Sequence, residues 1–229
     1  MTTLHDDEFG DITIRRSARS ASVKISVTPT GALRASLPPY APIFMLKRLV
    51  NSSREQLRTM LAKHQPAYEY VSGAEIGKSH KLIIVRANKT GVKRYKQQIT
   101  VTLAPGASVT DPAINTEVRQ AVTDALRLEA KSYLPKRLQF LATQLDYSYE
   151  RVRFSHAGSR WGSCSTTGTI SLNIALMKLP FELIDYVLIH ELSHTKQMNH
   201  SAKFWALVAQ GDPSYKLHRS LLKKESPTI

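Results

Sequence analysis

Apolar residues first alternate with polar ones along this chain, then fall into helical spacing. Ile12 and Ile14, then Val23, Ile25 and Val27, occupy every second position, and Leu33, Ala35 and Leu37 resume the pattern after a Pro29-Thr30-Gly31 turn. Pro38-Pro39 ends that strand run. From Pro42 to His64 the apolar positions Leu46, Leu49, Val50, Leu57, Met60 and Leu61 recur with the spacing of one helix. Leu82–Val85 and Ile99–Leu103 read as strands, interrupted by the basic stretch Lys89–Lys96. Ala104–Asp111 is a loop, and Asp111-Pro112 starts a helix whose phase holds through Val118, Val122, Leu126, Tyr133, Leu138, Leu141 and Leu145. Pro135 should kink or split it. Strands are expected at 151–155 and 169–173, and helices at 181–196, 201–210 and 214–224. No internal repeat is visible. The expected fold class is α+β, with a basic β-rich N-terminal region over 1–110 and a helical domain with a small sheet over 111–229.

Charge modifies this picture. The net charge of +14 is concentrated early, because residues 1–110 carry 17 basic and 7 acidic side chains. Such an excess either keeps the chain soluble or attracts a polyanion, of which nucleic acid is the candidate partner. No apolar run reaches the roughly 20 residues that span a bilayer, so no membrane partner is expected. The acidic opening MTTLHDDEFGD is unlike a secretory signal, and Cys164 is the single cysteine. Both point to the cytoplasm.

His190-Glu191-Leu192-Ser193-His194 fits H-E-x-x-H. Residues four apart on a helix face the same way, so both imidazoles can reach one ion, with Glu191 placed to accept a proton from a water that the ion activates. Zinc brings such a water to a pKa of about 7. Composition alone yields the pentapeptide in roughly 1% of chains of this make-up, so context matters. Tyr186-Val187-Leu188-Ile189 supplies the upstream half of a buried helix. A catalytic zinc wants three protein ligands. His200 follows a short connector in which Asn199 can adopt a left-handed backbone and end the helix. Ser201 can then cap a helix with Phe204, Trp205 and Val208 on its core face. His218 and Glu225 are the rival third ligands. The run Ser159-Arg160-Trp161-Gly162-Ser163-Cys164 suits the wall of a substrate cleft, with Cys164 read as a small buried residue; His156 is left unassigned.

SRWGSCS at 159–165, ISLN at 170–173, DYVLIHELSH at 185–194 and MNHSAKFW at 198–205 together resemble the YgjP-like metallopeptidase family in order and spacing. The resemblance is specific over the C-terminal half and weaker over the N-terminal half. The spacing of the three histidines, with a Phe four residues after the third, is also similar to the WLM and SprT-type proteases, which act on proteins attached to DNA. The resemblance implies a zincin-like catalytic domain, with His190, His194 and His200 as Zn2+ ligands and Glu191 as general base. It marks Arg160, Trp161, Gly162, Ser163 and Asn173 as substrate-binding or site-shaping positions. No Met-turn or glycine-rich extension follows His200, unlike the metzincins.

The expected activity is therefore a zinc metallopeptidase acting on protein or peptide, with nucleic-acid-associated proteins as substrates if the basic half binds nucleic acid. Arg160, Tyr186 and His218 are the candidates to stabilise the oxyanion. A metal-dependent nucleoside triphosphate hydrolase is one alternative, although no P-loop is present. A nucleic-acid-binding protein with a structural metal is the other.

Overall fold

The computed structural model describes residues 2–28, 32–63 and 70–229. The expected turn at 29–31 and the end of the helix at His64 lie outside them. The chain divides into two compact units, Met1–Glu69 and Tyr70–Ile229.

In the first unit, strands β1 (Thr2–Asp6), β2 (Gly10–Arg16), β3 (Lys24–Val27) and β4 (Leu33–Leu37) form a sheet in the order β1-β2-β4-β3, with β2 and β4 parallel. Its apolar face (Ile12, Ile14, Leu33, Ala35 and Leu37) is buried in one cluster with Leu46, Val50 and Leu57 of the following helices. The single helix expected over 42–64 is two, α1 (Ile43–Ser52) and α2 (Arg54–Lys63). Asn51-Ser52-Ser53 breaks it: these side chains compete for backbone groups, and the Ser52 hydroxyl donates to Leu49 O at 3.2 Å. Strand β1 was not legible in the polar opening. Asp6 closes the β1–β2 turn by accepting the Glu8 and Phe9 amides at 3.0 and 3.1 Å.

The second unit holds a sheet of β5 (Glu75–Ile76), β6 (His80–Arg86), β7 (Gly91–Tyr95) and β8 (Gln98–Leu103) in the order β5-β6-β8-β7. Its topology repeats that of the first sheet, β6 and β8 being the parallel pair, although the sequence shows no repeat. A 33-residue helix, α3 (Pro112–Gln144), packs against β5, β7 and β8 and also against β9 and α4. The boundary expected at residue 110 therefore falls inside this unit: the 104–111 loop is present, but the strands before it, β7 and β8, pack on α3, the helix that follows it. Pro135 does not split α3. The carbonyl freed by its missing N–H belongs to Lys131, which is exposed to water, while Leu134 and Leu138 beside it are fully buried.

The rest of the unit positions the site. A small sheet, order β10-β11-β9, joins β9 (Arg151–Ser155), β10 (Gly162–Cys164) and β11 (Thr169–Asn173). A 3-10 turn (Ile174–Lys178) leads to α4 (Phe181–Lys196), followed by α5 (Ala202–Gly211) and α6 (Tyr215–Leu222). Arg137 of α3 clamps Asp185 of α4 with two hydrogen bonds of 2.8 and 2.6 Å. No described helix is long and apolar enough to cross a membrane.

A buried carboxylate ties the first sheet of this unit to α3. Glu129 accepts from the Lys78, Ser79 and His80 amides at 2.6, 3.0 and 3.2 Å, from the Ser79 hydroxyl at 2.7 Å and from His80 Nδ1 at 2.6 Å. Gly77 admits this wrap: its φ is +66°, and an added Cβ would lie 2.2 Å from Glu129 Oε2. Burial alone would raise the Glu129 pKa, but the hydrogen bonds from His80, Lys78 and Ser79 outweigh it and hold the carboxyl below its ordinary value. A depressed carboxyl pKa stabilises the fold above its unfolded value, and that stabilisation is lost as pH falls through the folded value. Glu129→Gln is thus expected to cost about 3 kcal/mol near neutrality and to flatten the acid limb of stability against pH. Denaturant unfolding at pH 3–7 checks it, and a loss below about 1 kcal/mol would count against this role.

Candidate metal centre

Helix α4 is anchored by Leu183, Ile184, Val187, Leu188 and Leu192, all buried, which fixes the direction of the polar residues between them. His190 and His194 lie one turn apart on it. After α4 the chain turns back and delivers His200. The helix closes at Gln197, extended at φ −142°, whose amide donates to Ser193 O at 2.9 Å. Asn199 is not left-handed as expected, since the non-glycine residues with positive φ among those described are Lys96 and Asp146. The turn needs no such residue because Gln197 makes it, its side-chain amide donating to Asn199 Oδ1 at 2.7 Å. Ser201 caps α5 as expected, accepting the Phe204 amide.

His190, His194 and His200 form a group whose ligand atoms lie within 4.8 Å of one another, and such a group can hold a metal ion. The fit is chemical as well as geometric. His190 Nε2 and His200 Nε2 stand 3.2 Å apart, close enough to ligate one ion together. His194 donates from Nδ1 to Gln197 O at 3.2 Å, which fixes its tautomer and leaves Nε2 as the free donor atom. Burial, then the neighbouring His194 and His200, push the His190 pKa down to about 3; burial also lowers that of His194. Both rings are therefore neutral, the form that binds metal. Phe204 stacks on His194 at 4.4 Å and meets His190 edge-on at 4.9 Å, an apolar backing to all three rings.

Glu191, 5% exposed, lies alongside, and its Oε2 has no hydrogen-bond partner among the described residues. Burial pushes its carboxyl up to about 8, against the pull of the Arg160 cation. Gly162 makes room for it: a Cβ there would lie 2.6 Å from Glu191 Oε1 and 2.7 Å from its Cγ. Trp161, Gly162, Tyr186, Val187 and Leu222 line, with His190 and Glu191, a cavity of about 160 Å³.

The remaining expected residues separate. Arg160 is exposed and Ser163 half-buried on β10. Asn173 is fully buried, and its side chain is committed to the loop before β10, donating to Ala157 O and Arg160 O at 2.6 and 2.9 Å and accepting the Ala175 amide at 3.0 Å. It shapes the wall without an atom left for substrate. His218 pairs with Asp212 Oδ2 at 2.7 Å, and neither it nor Glu225 belongs to the three-histidine group. Cys164 is half-buried, and burial together with the Glu191 charge pushes its thiol up to about 11, so it stays protonated. Gln197 and Leu222 were missed. A backbone carbonyl leaves no trace in sequence, and Leu222 reaches the cavity only through the packing of α6 on α4.

Three convergent imidazoles beside a buried carboxyl are the makings of a metal-dependent hydrolase. The chain belongs to the YgjP-like metallopeptidase family, whose domain model matches residues 21–225; it is a metal-dependent peptidase. Two solved structures are similar over part of it. The metallopeptidase zymogen abylysin of Pyrococcus abyssi is 30% identical, with 39% of this chain and 92% of that one covered at a TM-score of 0.36. The metallopeptidase zymogen jannalysin of Methanocaldococcus jannaschii is 21% identical, with 39% and 94% covered at 0.33. No curated protein matches the chain.

Proposed function

We propose that this chain is a zinc endopeptidase in which His190, His194 and His200 hold the ion and Glu191 is the general base. The observation that carries this reading is the convergence of three imidazoles within 4.8 Å beside a buried carboxyl with an unpartnered oxygen. Zinc supplies Lewis acidity, polarising the scissile carbonyl and acidifying a water. The charge of a bound ion would oppose the burial that raises the Glu191 carboxyl, so that Glu191, ionised, accepts the proton of the attacking water on a carboxylate oxygen and passes it to the departing amine nitrogen. Among the described residues strand β10 pairs with β11 on one side only, and its free edge lets an extended peptide align by main-chain hydrogen bonds. The adjoining cavity of about 160 Å³ takes one substrate side chain against Trp161 and Leu222. Tyr186 lines the same cavity with a phenol that burial pushes up to about 12, so it is a hydrogen-bond donor at any physiological pH. Arg160 acts here by its charge and Asn173 by positioning the loop. A cytoplasmic location completes the reading, supported by the single cysteine.

The test is elemental analysis of the wild type and His200→Ala, with hydrolysis of an unstructured protein measured alongside. About one zinc per wild-type chain is expected. In His200→Ala, zinc affinity should fall at least tenfold, with hydrolysis lost. Undiminished zinc in the variant would remove His200 as a ligand. Stoichiometric zinc without peptide hydrolysis in the wild type would sink the assignment of these residues to proteolysis.

A further inference from the structure

The sheet β5-β6-β8-β7 has two unlike faces. Leu82, Ile99, Val101 and Leu103 are buried on one side, the side that packs on α3. Side chains alternate along a strand, so the intervening residues form the opposite face. Register sets them in rows: Lys81, Gln98 and Tyr95 lie across three neighbouring strands, and Ile83, Thr100 and Lys93 form the next row. A shallow depression of about 540 Å³ runs over this face, lined by Lys81, Ile83, Tyr95, Lys96, Gln98 and Thr100 among others.

Its chemistry is one-sided. Lys81, Lys93 and Lys96 are exposed, and no ion pair to any of them occurs among the described residues. From Ile76 to Thr110 the chain contains seven Lys and Arg and no Asp or Glu. Glu75, opposite Lys81 on β5, is the sheet's single carboxylate. A face built for solubility mixes both signs and avoids bare aromatics, yet Tyr95 is 74% exposed in the middle of these cations. Lys96, in the β7–β8 turn, has φ +51°. Glycine or asparagine would adopt that backbone at less cost, so a lysine there holds a cation beside the tyrosine at the expense of strain. Its Nζ lies 5.4 Å from the Tyr95 ring centre.

We propose that this face binds single-stranded nucleic acid. Phosphates lie on Lys81, Lys93 and Lys96, one base stacks on the Tyr95 ring, and Gln98 and Thr100 offer hydrogen bonds to base edges. An unpaired strand is the occupant because only unpaired bases present a free π-face to a side chain. None of these residues belongs to the metal site.

The experiment is fluorescence anisotropy of a labelled single-stranded oligodeoxythymidine with the full, zinc-loaded chain across a salt series. Lys81→Ala/Lys93→Ala/Lys96→Ala should weaken binding by about tenfold or more at low salt and reduce the slope of log K against log salt by about 2. Tyr95→Ala should weaken binding by about tenfold at every salt concentration and leave the slope unchanged. All four side chains are exposed, and unchanged thermal melting of the variants verifies their folding. Four results overturn the proposal: no binding by the wild type, a wild-type slope in the triple variant, tighter binding of a duplex of equal length, or equal displacement by polyglutamate, which would make an acidic polypeptide the occupant.

Discussion

Replacing Glu191 by Gln is expected to lower kcat/KM on an unstructured protein by about 10³-fold while zinc content stays at the wild-type level. Glutamine fills the same recess but cannot carry a proton between water and amine. A variant keeping more than about a tenth of the activity would remove Glu191 from proton transfer, since general bases contribute about 10²-fold or more. The same substitution has an opposite effect on stability, measured on chelator-treated protein. Burial pushes the Glu191 carboxyl up to about 8, whereas in an unfolded chain it ionises near about 4.3. Between these values the folded state binds the extra proton, so the stability of the metal-stripped wild type falls as pH rises through that window. Glu191→Gln should abolish the fall and leave the metal-stripped variant more stable than wild type at pH 8 by several kcal/mol. Loss of activity with a gain in stability separates a functional carboxyl from a structural one. Parallel losses of both would contradict the reading.

The second large effect is expected from a methyl group. Gly162→Ala places a Cβ 2.6 Å from Glu191 Oε1, closer than carbon and oxygen tolerate, and the carboxyl is the movable partner. Displacing it by about 1 Å costs about 10²-fold in kcat, while the three imidazoles, on other atoms of α4 and its following turn, keep the metal. Steady-state kinetics with zinc analysis checks this. Lowered zinc would show that the collision is relieved by moving α4 itself, and unchanged kcat that Glu191 does not need its observed position.

These two residues illustrate how much the sequence displays. His190, Glu191 and His194 are local: their spacing and the apolar run before them suffice to place them on one buried helix, and α4 has the expected span of 181–196. Gly162 was singled out, but its reason was invisible, because the carboxyl that requires it is 29 residues further along and meets it only when β10 packs on α4. Asn173 is expected to bind substrate or shape the site, and its amide is spent on the loop, a distinction that depends on which carbonyls surround it. Strand β7 looks in the sequence like a basic interruption because Lys93, Arg94 and Tyr95 are all exposed and mask its alternation. The division at 69/70 differs from the expected boundary at 110 for a related reason: composition marks where elements end, whereas α3 decides which elements stay together.

The strand order has a consequence for the time course of folding. In both four-stranded sheets the last strand in sequence, β4 or β8, takes an inner place between two earlier strands, parallel to one and antiparallel to the other. Neither sheet can therefore be zipped up in the order of synthesis. Until its fourth strand leaves the ribosome, each presents a hairpin and a separate strand with unpaired edges. Refolding should then be slow for chains of this size, in the millisecond-to-second range typical of non-local pairing, and a nascent chain halted before residue 98 should be the form most in need of a chaperone.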